Sequence, residues 1–95
     1  MAAQQPEGML LTARYEFVQR VPERAINRMV DLMLGERIIN DQEMDMISGV
    51  KDREERARQF IDIVRKKGDG PSLRLITVLR AEYPSLHHEL GLDKP

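Results

Sequence analysis

The 95-residue chain contains no cysteine and no tryptophan, and aromatic residues make up only 4% of it. Without cysteine there is no disulfide framework, no thiolate metal site and no cysteine nucleophile. With Tyr15, Phe17, Phe60 and Tyr83 as the only aromatics, the core must come from Leu, Ile, Val and six Met. No apolar run approaches the roughly 18–20 residues of a membrane-spanning helix. Residues 1–8 (MAAQQPEG) lack the charged and apolar regions of a signal peptide, so the expected compartment is the cytoplasm. A dominant charge is missing too. Fifteen basic side chains stand against 16 acidic ones, a net of −1, whereas phosphate binding normally draws on a clear basic excess. No segment alternates apolar and polar residues with period two, which excludes a half-buried sheet. Internal repeats and low-complexity tracts are absent as well.

What is present is a small globular composition, 41% hydrophobic and 33% charged, sized for one domain. Within it the charge reverses between neighbouring segments. Residues 23–50 carry three basic and six acidic groups, a net of −3, and residues 51–67 carry seven basic and four acidic groups, a net of +3. Opposed flanks of this kind can dock copies or relatives of one domain on each other. Two solvated helix faces would give the same pattern.

Apolar spacing predicts six helices. Residues 1–8, broken by Pro6 and Gly8, are expected to be a disordered lead-in, with the folded domain over 9–92 and a tail at 93–95. The first helix, Met9 to Val21, carries Leu10, Ala13, Phe17 and Val21 on one stripe. Leu11 and Val18 lie on another and Arg14 between them, so a bend is expected. Pro22 opens a second helix whose buried stripe is Ile26, Met29, Val30 and Met33, with Gly35 as its stop. Ile38 and Ile39 form an apolar plug. Asn40 or Asp41 then caps a short third helix, with Glu43 placed to complete a capping box and Met44 and Ile47 facing inward. A fourth helix from about Asp52 to Lys67 buries Ala57, Phe60, Ile61 and Val64. Its acidic first turn and basic last turn suit the helix macrodipole. After a GDGP turn (68–71), a largely buried fifth helix holds Leu75, Ile76, Val78 and Leu79, and Pro84 starts a short sixth helix. Short connections between such helices favour antiparallel neighbours in an all-α bundle.

The order of parts carries a resemblance. A first helix precedes A-I-N-R-M-V-D-L-M-L (25–34). An apolar plug I-I-N-D-Q-E-M (38–44) follows, then E-R-A-R-Q-F-I-D-I-V (55–64), a K-G turn (67–68), a buried helix and a terminal E-L-G-L (89–92). This run resembles the caspase recruitment domain (CARD), a branch of the death-fold superfamily, over nearly the whole chain. It is most similar to the CARDs of inflammatory caspases and their small decoy relatives. The resemblance implies an all-α, six-helix antiparallel Greek-key bundle without catalysis or cofactor. It also implies homotypic docking on the CARD of a caspase, adaptor or sensor, with self-association into oligomers or filaments, in inflammatory or cell-death signalling. An acidic patch on helix two docks on a basic patch of helices one and four in such domains. By that correspondence the acidic side centres on Asp31, with Glu36, Asp41, Glu43 and Asp45 extending it. The basic side comprises Arg14, Arg56 and Arg58, with Arg53 as a neighbour. Reversing either Asp31 or Arg58 is expected to abolish assembly.

The chain departs from the pattern in three respects. Arg24 and Arg28 share the exposed side of helix two with Asp31, Glu54 and Glu55 dilute the basic patch, and helix five lacks the cysteines common in inflammatory-caspase domains.

Other classes find weaker support. An enzyme would have to use His87 and His88, but adjacent helix positions diverge, and both are expected at the surface. G-D-G-P has the glycines of a phosphate loop without its Lys-Ser/Thr. The alternative reading is a helical nucleic-acid-binding domain using the basic end of helix four (Arg65, Lys66, Lys67), although the acidic third helix would repel phosphate. A membrane-active role for helix four conflicts with the need for its apolar stripe in the core. Neither a metal nor a nucleic-acid or membrane partner is therefore expected.

Overall fold

The computed structural model describes residues 4–93. Residues 1–3 of the expected lead-in and residues 94–95 of the expected tail lie outside the described residues. Six helices follow in order: α1 (Pro6–Arg20), α2 (Glu23–Gly35), α3 (Asp41–Ser48), α4 (Arg53–Lys66), α5 (Asp69–Glu82) and α6 (Pro84–Glu89). No strand occurs among the described residues. The long helices α1, α4 and α5 pack on one another. α2 lies against α4 and α5, α3 against α4, and α6 against α5.

The core is the one that apolar spacing predicts. Ile26, Met29, Val30 and Met33 are buried on α2, Ala57, Phe60, Ile61 and Val64 on α4, and Leu75, Ile76, Val78 and Leu79 on α5. Phe17 and Phe60 meet across the α1/α4 contact with ring centroids 6.4 Å apart. Fully burying a side chain of this size contributes about 1.5–3 kcal/mol. Ile39 of the plug is buried, as is Ile47 of α3, while Ile38 and Met44 are half-buried.

Helix ends show where tertiary structure adds to local signals. α1 begins at Pro6, three residues inside the expected lead-in, with proline at its first turn. A fixed φ and a missing N–H suit that position. The Glu7 N–H donates to Asp69 Oδ1 at 3.0 Å, so the first residue of α5 satisfies a free donor of α1. α1 is a single helix over its full length, and the second stripe that suggested a bend is not all buried, since Leu11 is 52% exposed.

α2 does not stop by way of Gly35. Its last turn closes as a Schellman motif, with Ile38 N–H donating to Met33 O (2.9 Å) and Arg37 N–H to Leu34 O (3.0 Å). The left-handed residue that this motif requires is Arg37, at φ 62°. α3 has the expected capping box: Glu43 N–H donates to Asn40 Oδ1 at 2.8 Å, and Asn40 N–H to Glu43 Oε1 at 3.0 Å. α5 starts within the GDGP segment, because Gly68 at φ 111° turns the chain directly into it. In α6, His87 is buried at 5% exposure beside Leu86, contrary to its expected surface position. This six-residue helix packs on α5, and the C-terminal turn folds back so that Leu92 N–H donates to His87 O at 3.2 Å. His88 alone is exposed, with Nδ1 2.7 Å from Asp93 Oδ2.

Candidate protein-docking surfaces

The acidic side chains of α2 and α3 divide into two groups. Asp31, Asp41 and Asp45 are exposed and have no hydrogen bond or ion pair from their side chains among the described residues. Glu36 and Glu43 are committed within the chain. Arg74 on α5 grips Glu36 in a bidentate pair, both contacts 2.6 Å, and this bond holds the Glu36 carboxyl below its ordinary value. Glu43 pairs with Lys67 at 3.0 Å in addition to its capping role. Burial raises the Glu43 carboxyl, but the Asn40 N–H and Lys67 together outweigh it, and the net shift is downward. The cation that shares the face of Asp31 is drawn away: Arg28 turns to Glu82 on α5, with Nη2 2.8 Å from Oε1. Arg24 remains exposed one turn further back.

On α1 and α4 every arginine singled out by the sequence is already engaged. Arg14 of α1 forms a bidentate pair with Asp62 of α4, Nε to Oδ1 and Nη2 to Oδ2 both 2.8 Å. The Asp62 bond raises Arg14, and the Arg14 bond is the main cause of a lowered Asp62. Asp62 also accepts from Arg65 at 3.0 Å. Arg53 donates from Nη1 to the carbonyls of Val18 (2.9 Å) and Val21 (2.7 Å), capping the C-terminal end of α1. Arg56 donates from Nε to Val50 O at 2.9 Å and from Nη1 to Glu23 and Asn27 at 3.2 Å each, and its side chain is only 13% exposed. Arg58 is held on its own helix by Glu55 (3.2 Å) and Glu54 (3.5 Å). A shallow depression of about 240 Å³ lies over α4, bordered by Arg14, Arg58, Asp62, Lys66 and the exposed Met46 of α3.

Sequence reasoning identified the charges but missed the work of Arg53, Arg56 and Asp62. Arg14 gave one usable signal, a charge between two apolar stripes that needs a partner near the core. Among the described residues no group of three or more His, Cys, Asp or Glu is placed to hold a metal, and no helix is long and apolar enough to cross a membrane.

Comparison with known proteins fits the six-helix bundle. The family model of the caspase recruitment domain, CARD, matches residues 7–93. The chain belongs to the CARD family. It is also similar to the human caspase recruitment domain-containing protein 18, with 29% identity over 87 residues that cover 90% of this chain and 97% of that protein. No solved structure matches the chain significantly. The six-helix bundle is thus the death fold of a CARD, and the CARD is a domain of homotypic protein–protein interaction in caspase and death signalling rather than of catalysis.

Proposed function

We propose that this CARD docks through its acidic flank, centred on Asp31 with Asp41 and Asp45, on the basic α1/α4 face of another CARD. It thereby recruits or regulates a caspase in the cytoplasm during inflammatory or cell-death signalling. The observation that carries this reading is the split among the acids. Asp31, Asp41 and Asp45 stay exposed without an intramolecular partner, whereas Glu36 and Glu43 are committed to Arg74 and Lys67. A carboxylate without an internal partner can accept a charge-assisted bond from an incoming arginine without first giving one up. Docking in series, acidic flank on basic flank, is the route by which such domains would build oligomers or filaments.

The test is binding of the purified chain to purified caspase CARDs by biolayer interferometry. Asp31→Lys should lose at least about tenfold in affinity, roughly 1.4 kcal/mol, with unchanged helicity. Asp31→Asn should lie between the two. Equal binding by wild type and Asp31→Lys would refute the assignment. Raising salt from 50 to 300 mM should weaken the wild-type complex, since exposed charges are screened.

Nucleic-acid binding through the end of α4 has little in its favour. Arg65 is bonded to Asp62 and Lys67 to Glu43, which leaves Lys66 as the one cation of that run with no carboxylate partner among the described residues.

A further inference from the structure

The two flanks are unequal in this chain. On the acidic side three carboxylates face solvent without internal partners. On the basic side Arg14 is closed by Asp62, Arg53 and Arg56 donate to backbone carbonyls, and Arg58 lies between Glu54 and Glu55. We propose that Glu54 and Glu55 act as built-in competitors that close the basic flank to a second copy, so that this CARD docks with one flank only. The occupant of its acidic flank is then a different CARD, one whose α1/α4 face has arginines without carboxylates beside them. This inference rests on the docking reading above.

The physical reason lies in tethering more than in bond strength. Each contact between Arg58 and its neighbours is an exposed ion pair, weak by itself. Both competitors are nevertheless fixed one turn from Arg58, at i−4 and i−3, and they are always present at high local concentration. An incoming aspartate has to displace them, and once displaced they remain within a turn of it and repel it. Arg14 is a poorer anchor than a free arginine, because Asp62 already occupies the bidentate Nε/Nη2 edge that an incoming carboxylate would use. The same aspartate arriving at a basic face without carboxylates meets neither obstacle.

The double variant Glu54→Gln/Glu55→Gln tests the proposal. It removes both charges and keeps side-chain length, while the Asp52 cap of α4, which accepts from Glu55 N–H at 2.9 Å, is untouched. In sedimentation velocity, wild type should remain monomeric at micromolar concentration. The double variant should self-associate at least about tenfold more tightly. Adding Asp31→Lys to it should restore the monomer, and sub-stoichiometric wild type should shorten its assemblies by occupying their open basic ends. Circular dichroism and melting of each variant confirm that the fold is retained.

Equal association of wild type and the double variant would overturn the inference, as would a gain that survives Asp31→Lys. A double variant that stays monomeric also overturns it. In that case the docking reading stands if wild type still binds caspase CARDs through Asp31, and falls with the inference if it does not.

Discussion

Arg14 and Asp62, 48 residues apart in the chain, lock α1 to α4 through two parallel bonds of 2.8 Å. The pair is partly shielded, with side-chain exposures of 33% and 23%. Its value therefore lies between that of an exposed pair and that of a buried one. Arg14→Ala should destabilise the domain by about 1–2 kcal/mol at pH 7, read from urea unfolding. Arg14 lowers the Asp62 carboxyl, so the stability it supplies is fully present above the unfolded carboxylate value of about 4 and is lost as pH falls through the lower folded value. The gap between wild type and Arg14→Ala should accordingly narrow in strong acid. Equal acid sensitivity in both proteins would show that the pair is not what holds Asp62 ionised.

Arg53 is predicted to be a folding residue before it is a docking one. Truncation in Arg53→Ala strips a charge-assisted donor from the Val18 and Val21 carbonyls at the end of α1. The cost should be about 1.5–3 kcal/mol, visible as a lowered melting temperature. Arg53→Lys should recover only part of it, because a single ammonium replaces a planar fork. A melting temperature unchanged by the alanine would remove the cap from the account.

Arg37 sits where glycine is the ordinary choice. At φ 62° its Cβ crowds the backbone, and a left-handed non-glycine residue costs on the order of 1 kcal/mol. Arg37→Gly should therefore stabilise the domain by up to about 0.5 kcal/mol, after allowance for the greater freedom of glycine in the unfolded chain. Chemical denaturation would check this, and a loss of stability would indicate that the Arg37 side chain contributes more than its backbone costs.

His87 supplies a second pH dependence, in a milder window. Burial pushes its imidazole below the ordinary value. Arg80 and His88 act in the same direction and Asp93 against them. A histidine with a lowered folded value takes up protons more readily when unfolded, so native stability should fall as pH drops below the unfolded value of about 6.5. His87→Gln should flatten the change in urea midpoint between pH 7.5 and 5.5. If the variant keeps the full wild-type slope, another group is responsible.

Much of this was legible in the sequence where the cause is local. The stripe Ala57, Phe60, Ile61 and Val64 marked the buried face of α4, and Asn40 with Glu43 marked the capping box of α3, because i,i+3 and i,i+4 neighbours meet within one helix whatever surrounds it. The docking candidates were legible only as charges. Asp31 and Glu36 look alike in sequence, yet Arg74 claims Glu36 and no described cation claims Asp31. Glu54 and Glu55 were visible as diluents of the basic patch, and their i,i+4 and i,i+3 spacing from Arg58 already sets them beside it on one helix.

The sequence by itself therefore determined the helices, the core stripes and the sign of each flank, which follow from periodicity and composition, while the order of its motifs carried the resemblance to a CARD. Tertiary structure alone decided that α1 starts at Pro6 under an Asp69 cap, that His87 goes inside, and which charges stay open for a partner. Hydrogen bonds and ion pairs act over a few ångströms, so their partners are chosen by which distant segments the packed core brings together.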